Sequence, residues 1–152
     1  MSMVEIHNSV EKVYEENKET LEIFECLDEF SDTQNFCDHY GFDIEDSCNA
    51  ILIKAKKPEE FYSMFCVLGA NRLDVNHKAK EAMGAKRVSF ASREEAETVT
   101  GKIYGGISPL GLPENVKVYM DKNVIDREKL FIGAGNRVSK FFLSPEALIE
   151  LS

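Results

Sequence analysis

Thr100-Gly101-Lys102-Ile103-Tyr104-Gly105-Gly106-Ile107-Ser108-Pro109-Leu110-Gly111 interrupts a chain that otherwise alternates short helical and extended patterns. Four of these twelve residues are glycine, and Pro109 fixes its own φ while biasing Ser108 toward extended geometry. A segment of this kind forms a rigid loop with several amide N–H groups pointing outward. Such a concavity accepts an anion, a carbonyl oxygen or an oxyanion. The same composition also serves a tight connection between two strands, and on local composition alone that plainer role has the stronger claim.

The elements on either side of the loop define its setting. Upstream, Ser92-Arg93-Glu94-Glu95 is a capping box that starts a helix ending near Thr100, so the helix delivers the chain into the loop. Before it, Arg87 to Phe90 reads as a short strand, and Asn76 caps a helix that runs to Met83 and stops at Gly84. Asn49-Ala50-Ile51-Leu52-Ile53 is a buried strand, apolar on both faces, with Asn49 as its polar member near the start. Pro58 turns the chain, and Phe61 to Leu68 pairs back against that strand until Gly69. Nearer the N-terminus, Ile6, Val10, Val13 and Tyr14 recur at helical spacing within a helix from Val4 to about Lys18. Leu21 to Leu27 follows as a strand, and Ser31 or Asp32 caps a helix that ends at Gly41 with His39 in its last turn.

Downstream of the loop, Val116 to Met120, Lys129 to Ile132 and Lys140 to Leu143 have strand character. Gly133-Ala134-Gly135-Asn136 makes a second glycine turn between the last two, and Ser144-Pro145-Glu146 starts the terminal helix. No repeat or linker divides the 152 residues. The pattern is that of one α+β domain spanning 1–152, with residues 1–19 as an N-terminal helix. Its sheet is mixed and largely antiparallel, or a partial barrel, with short helices around it.

Composition limits the functions available. Apolar residues make up 43% and charged residues 30% of the chain, a soluble globular balance. The longest apolar runs, such as Ala50-Ile51-Leu52-Ile53, are too short to cross a bilayer, and the N-terminus has no signal-peptide pattern, so a cytoplasmic location is expected. The four cysteines form no CxxC pair, and each reads as a reduced, buried thiol. The formal charge of −9 is unevenly placed: residues 1–53 carry 14 acidic and 2 basic side chains. Residues 54–102 carry 7 acidic and 10 basic ones, which leaves a local basic face possible from Lys54, Lys56, Lys57, Arg72, Lys78, Lys80, Lys86, Arg87 and Lys102. Scattered solvated charges explain the same residues.

No standard catalytic set is present. His7, His39 and His77 have no metal-ligand spacing, and the nucleophile-elbow, P-loop and dinucleotide motifs are missing. The ordered series Arg72-Leu73-Asp74, Ala91-Ser92, Thr100-Gly101, Gly105-Gly106-Ile107-Ser108-Pro109-Leu110-Gly111, Val118-Tyr119-Met120-Asp121, Gly133-Ala134-Gly135-Asn136-Arg137 and Ser144-Pro145 nevertheless closely resembles the YbaK family. These are prolyl-tRNA-synthetase-associated editing domains and their free-standing relatives. The resemblance covers roughly residues 20 to 150.

That resemblance implies hydrolysis of the ester between a small mischarged amino acid and tRNA, with neither metal nor cofactor. It implies that Gly105, Gly106, Ile107 and Ser108 offer amides to the aminoacyl carbonyl, while the terminal hydroxyl of the tRNA helps to activate water. It further implies substrate contacts from Arg72, Asp74, Thr100, Pro109, Gly133 and Arg137. Preorganised N–H donors need no titrating partner, and each is typically worth on the order of 10²–10³ in rate. One departure stands out. Family deacylases carry lysine at the start of the strand after the acidic turn, where this chain has Asn49. Asparagine donates hydrogen bonds but brings no charge. Lys54 lies an odd number of residues further along and faces the other way. The expectation is therefore a deacylase-like protein acting on an aminoacylated tRNA end. The alternative is a binding module that kept the pocket and lost turnover.

Overall fold

The computed structural model describes residues 6–69 and 71–152. In chain order, the helices are α1 (Asn8–Glu16), α2 (Thr33–Tyr40), α3 (Lys80–Met83), α4 (Arg93–Thr100), α5 (Lys122–Ile125) and α6 (Pro145–Leu151). The strands are β1 (Glu22–Glu25), β2 (Cys48–Lys57), β3 (Phe61–Leu68), β4 (Arg87–Phe90), β5 (Lys117–Met120), β6 (Leu130–Gly133) and β7 (Ser139–Leu143). They form two open sheets, one ordered β1-β7-β6 and the other β4-β2-β3-β5. Every pairing is antiparallel except β3 with β5, and neither sheet closes on itself. This is the α+β class expected, in its mixed-sheet rather than its barrel form.

The apolar run at the centre of β2 explains the layering. Successive side chains of a strand point to opposite faces. Ile53 and Phe65 pack with Ala79 and Met83 on one side, while Leu52 and Met64 pack with Ala96 of α4 on the other. The four-stranded sheet is thus covered on both faces, and its central strands can be apolar throughout. The three-stranded sheet contributes Leu130, Ile132, Phe141 and Leu143 to a third cluster with Val10 of α1 and Leu148 of α6. Phe24, Phe36, Tyr40, Phe42, Phe131 and Phe142 form an aromatic cluster beneath α2, with ring centroids such as Phe24–Phe36 at 5.6 Å and edge-on. The two sheets meet where Ser47 bridges to Phe131 in parallel.

Several local signals act as read. Asp32 caps α2 through the Asn35 amide, Ser92 and Glu95 complete their capping box, and α2, α3 and α4 stop at Gly41, Gly84 and Gly101, each at positive φ. Others differ. The first helix spans Asn8–Glu16 with His7 as its cap, and the expected stretch at Val4 and Glu5 lies outside the described residues. Asp74, not Asn76, caps the segment leading into α3, because its carboxylate reaches the His77 amide at 3.1 Å and the chain first makes a wide π turn over Val75–Ala79. Lys102, counted with the possible basic face, is only 2% exposed. His39 stacks on Phe30 with centroids 3.7 Å apart.

Candidate functional site

The seam between the sheets opens into a cleft of about 380 Å³. The first four residues of β2 with Ser47, the glycine loop at Tyr104, Gly105 and Ile107, and the end of β6 at Gly133 form its walls. Ser31, Asp32 and Thr33 at the start of α2 close one side, with Arg137 from the segment entering β7 and Lys140 from β7 itself. The sheet pairing fixes this arrangement: Gly133 of β6 lies opposite Lys140 of β7.

The loop is held by its neighbour. The Ile103 amide donates to the Gly135 carbonyl at 2.9 Å, and the Gly135 amide donates to the Gly106 carbonyl at 2.7 Å, so the two glycine turns are stitched together. A Cβ on Gly106 would run into the backbone of Asn136, which is why this position admits glycine alone. Gly105 has φ +98°, and a side chain there would meet Arg137 Nη1 at 2.6 Å. From below, Lys102 Nζ donates to the carbonyls of Thr100 and Gly111 at 3.2 and 3.1 Å, tying the loop's two ends. Burial pushes the Lys102 ammonium down to about 8.

The structure therefore separates the expected loop residues. Gly105 and Ile107 line the cleft, and their amides have no acceptor among the described residues. The Gly106 amide already donates to the Ile103 carbonyl at 2.8 Å, and Gly106 lies behind the cleft wall. Ser108 is wholly buried, and its hydroxyl accepts from the Leu110 amide. Asn49 is in the cleft, where its Oδ1 accepts from the Ser47 hydroxyl at 3.3 Å and its amide NH₂ has no partner among the described residues. Gly133 and Arg137 are in the cleft too, although Arg137 Nε already donates to Asp28 at 2.6 Å.

Four expected contact residues lie outside the cleft. Arg72 is exposed beyond β3, and Asp74 caps the turn into α3. Thr100 is buried, with its hydroxyl donating to the Ala96 carbonyl at 2.7 Å. Pro109 faces a separate depression with Val116 and Ile149. Lys54 is also elsewhere: its ammonium sits 2.7 Å from Glu95, which also accepts from the Tyr62 hydroxyl at 2.6 Å. These contacts hold the Glu95 carboxyl down to about 2. Lys54 thus clamps α4 to the sheet and does not stand in for Asn49. Burial raises the thiols of Cys26 and Cys37, and a hydrogen bond with Cys48 together with burial raises that of Cys66, which disfavours the thiolate a nucleophile needs.

Among the cleft residues that sequence reading did not place there, Lys140 and Ser31 stand out by their burial. Lys140 is 7% exposed, and its ammonium donates to the Ser31 carbonyl at 3.2 Å and stands 4.9 Å from the centre of the Phe36 ring. Desolvation lowers its pKa from the ordinary lysine value. Nothing in Val138-Ser139-Lys140-Phe141 distinguishes a buried lysine from a solvated one on a strand. Ser31, 3% exposed, reads in sequence only as a cap; its hydroxyl has no partner among the described residues.

Residues 28–151 match the model of the aminoacyl-tRNA editing domain. The chain belongs to this family. Among sequence relatives of this editing domain, a protein of Enterococcus faecalis provisionally named Cys-tRNA(Pro)/Cys-tRNA(Cys) deacylase EbsC is 32% identical over 84 residues, 55% of this chain and 51% of that one. A proline–tRNA ligase of Streptococcus pneumoniae is 39% identical over 57 residues, 38% of this chain and 9% of the ligase. The chain thus aligns with about half of the first relative and under a tenth of the second. Two solved structures share the fold. One, provisionally described as a trans-editing enzyme for prolyl tRNA synthetase, superposes with a TM-score of 0.80 at 21% identity, covering 97% of this chain and 93% of that one. The hypothetical protein APE2540 gives 0.84 at 21% identity, with coverages of 95% and 94%.

Proposed function

We propose that this editing domain hydrolyses the ester of a small mischarged amino acid at the 3′ end of a tRNA, with the ester seated in the cleft between the sheets. The observation that carries this reading is the pair of unpartnered amides at Gly105 and Ile107 on the wall of a cleft that also holds Asn49. Two fixed N–H dipoles aimed at a carbonyl oxygen stabilise the negative charge that develops when water attacks the carbonyl carbon. The ribose oxygen then leaves with the ester's electron pair and takes up a proton. The hydroxyl vicinal to the ester is proposed to orient the water and to relay its proton to the leaving ribose oxygen, accepting one proton as it donates its own. Tyr104 stands at the mouth, 51% exposed, with the Arg93 guanidinium 5.5 Å from its ring centre. A terminal base can stack on such a ring.

Asn49 supports a second reading. It supplies hydrogen bonds but no charge, as expected of a pocket that binds an aminoacyl end without turning it over. Deacylation of a panel of mischarged tRNAs by the wild type and by Asn49→Lys separates the two. Turnover of at least one substrate by the wild type is expected. Activity gained only by Asn49→Lys would establish the binding module instead, and hydrolysis by neither above the uncatalysed rate would end the enzyme reading.

A further inference from the structure

The lining of the cleft includes several donors with unused capacity among the described residues: the amides of Gly105 and Ile107, the NH₂ of Asn49 and the ammonium of Lys140. Lys140 is the unusual member. Its three N–H donors have one protein acceptor, the Ser31 carbonyl, and it makes no ion pair among the described residues. Asp32, on the same wall, has a carboxylate oxygen accepting from the Asn35 amide; it lies beyond ion-pair distance of Lys140, although its charge favours the Lys140 ammonium. The other cation of the cleft, Arg137, is matched by Asp28 at 2.6 Å. Beside Lys140, the buried Ser31 hydroxyl has no hydrogen-bond partner among the described residues. Buried polar groups are normally hydrogen-bonded, and a buried ammonium with one neutral acceptor is completed best by an anion.

We propose that Lys140 and Ser31 form a side-chain subsite of the cleft that binds a carboxylate, so that the preferred aminoacyl group is small and acidic. Depth argues for the side chain as the source of the anion. Lys140 is 7% exposed, whereas the side chain of Arg137 is 44% exposed. A phosphate belongs to a polymer lying in solvent and meets cations at the mouth, while a group at the floor is reached by the short end of the ligand. The assignment rests on the reading of the cleft as an aminoacyl site.

The test measures calorimetric binding of non-hydrolysable 3′-amide analogues, aspartyl and alanyl 3′-amino-3′-deoxyadenosine, each with and without a 5′-phosphate. The wild type is expected to bind the aspartyl compounds roughly tenfold or more tightly than the alanyl ones, as befits a hydrogen bond to a charged group. Lys140→Met should erase that preference, read as the ratio of aspartyl to alanyl affinity within the variant. Ser31→Ala removes a hydroxyl that bonds nothing among the described residues, so it should fold normally and reduce the preference in part. Equal binding of aspartyl and alanyl compounds by the wild type, or a preference that survives Lys140→Met, overturns the subsite while leaving the aminoacyl cleft intact. A preference that follows the 5′-phosphate overturns the side-chain assignment. Failure of all four compounds to bind overturns the aminoacyl reading itself.

Discussion

Lys102 shows how far a residue's role can depart from its composition class. In sequence it is a lysine in a glycine loop and counts toward a basic face; in the fold it is buried and donates to the Thr100 and Gly111 carbonyls. Its burial is decided by the chain's return at Gly111, nine residues later, which no local pattern announces. The consequence is a measurable pH dependence. An unfolded-chain lysine titrates at 10.5, and burial brings the folded value down to about 8. Below pH 8 both states hold the proton and the folded state bears the cost of a desolvated charge. Between 8 and 10.5 the folded protein has lost the proton while the unfolded chain keeps it, so stability rises with pH across that window. Buried thiols whose pKa is raised act in the opposite sense at alkaline pH, so the comparison must be made against a variant. Urea unfolding of wild type and Lys102→Met from about pH 7 to 10.5 should show the wild type gaining on the variant by up to about 3 kcal/mol. A pH-independent difference would mean that the ammonium is not desolvated. Asn49 and Arg137 were legible as cleft residues because the family motif carries them, while Lys140 was not, since burial in β7 depends on α2 folding over it.

At the scale of elements, legibility followed the physics of local signals. The capping box at Ser92, the glycine stops and the two-faced apolar strand β2 are determined by neighbours within a few residues, and the sequence shows them directly. The π turn at Val75–Ala79 and the short helix α5 escape such a reading, because each is fixed by the element it packs on. The glycine loop lies between these cases. Its glycines are evident, but their division of labour is set by the second turn at residues 133–136. Gly106 faces the Asn136 backbone, and Gly105 and Ile107 face the cleft. Substitution of Gly106 is therefore a structural change before it is a functional one. Gly106→Ala places a Cβ against an unyielding backbone, and the Ile103–Gly135 and Gly135–Gly106 hydrogen bonds must loosen to admit it. A loss of roughly 1–3 kcal/mol in unfolding free energy is expected, as for other overpacked sites, together with loss of binding or turnover. Wild-type stability with activity alone lost would instead place the Gly106 amide in direct contact with substrate.

The molecule as a whole is a poor partner for a nucleic-acid backbone. Its formal charge is −9, with 14 acidic side chains in residues 1–53, and that part of the chain supplies Asp28 and Asp32 at the rim and wall of the cleft. Long-range electrostatics therefore oppose the approach of RNA, and of the cleft's two cations one is matched by Asp28 and the other is buried. On the proposed function, such a charge distribution favours recognition of the end of the substrate over its length. A protein that neutralises roughly 6–10 phosphates loses roughly 10³–10⁵ in affinity between about 50 and 200 mM salt. This editing domain should lose less than about tenfold over the same range, because few condensed counterions are released. An aminoacylated acceptor-stem minihelix should accordingly serve within about tenfold of the intact tRNA in kcat/KM, since little affinity comes from phosphate contacts along the rest of the molecule. Both measurements use the same substrate pair in one salt series. A steep salt dependence with strong discrimination against the minihelix would show that basic residues away from the cleft, such as Lys56, Lys57, Lys86 and Arg87 near the ends of β2 and β4, form an RNA-tracking surface after all.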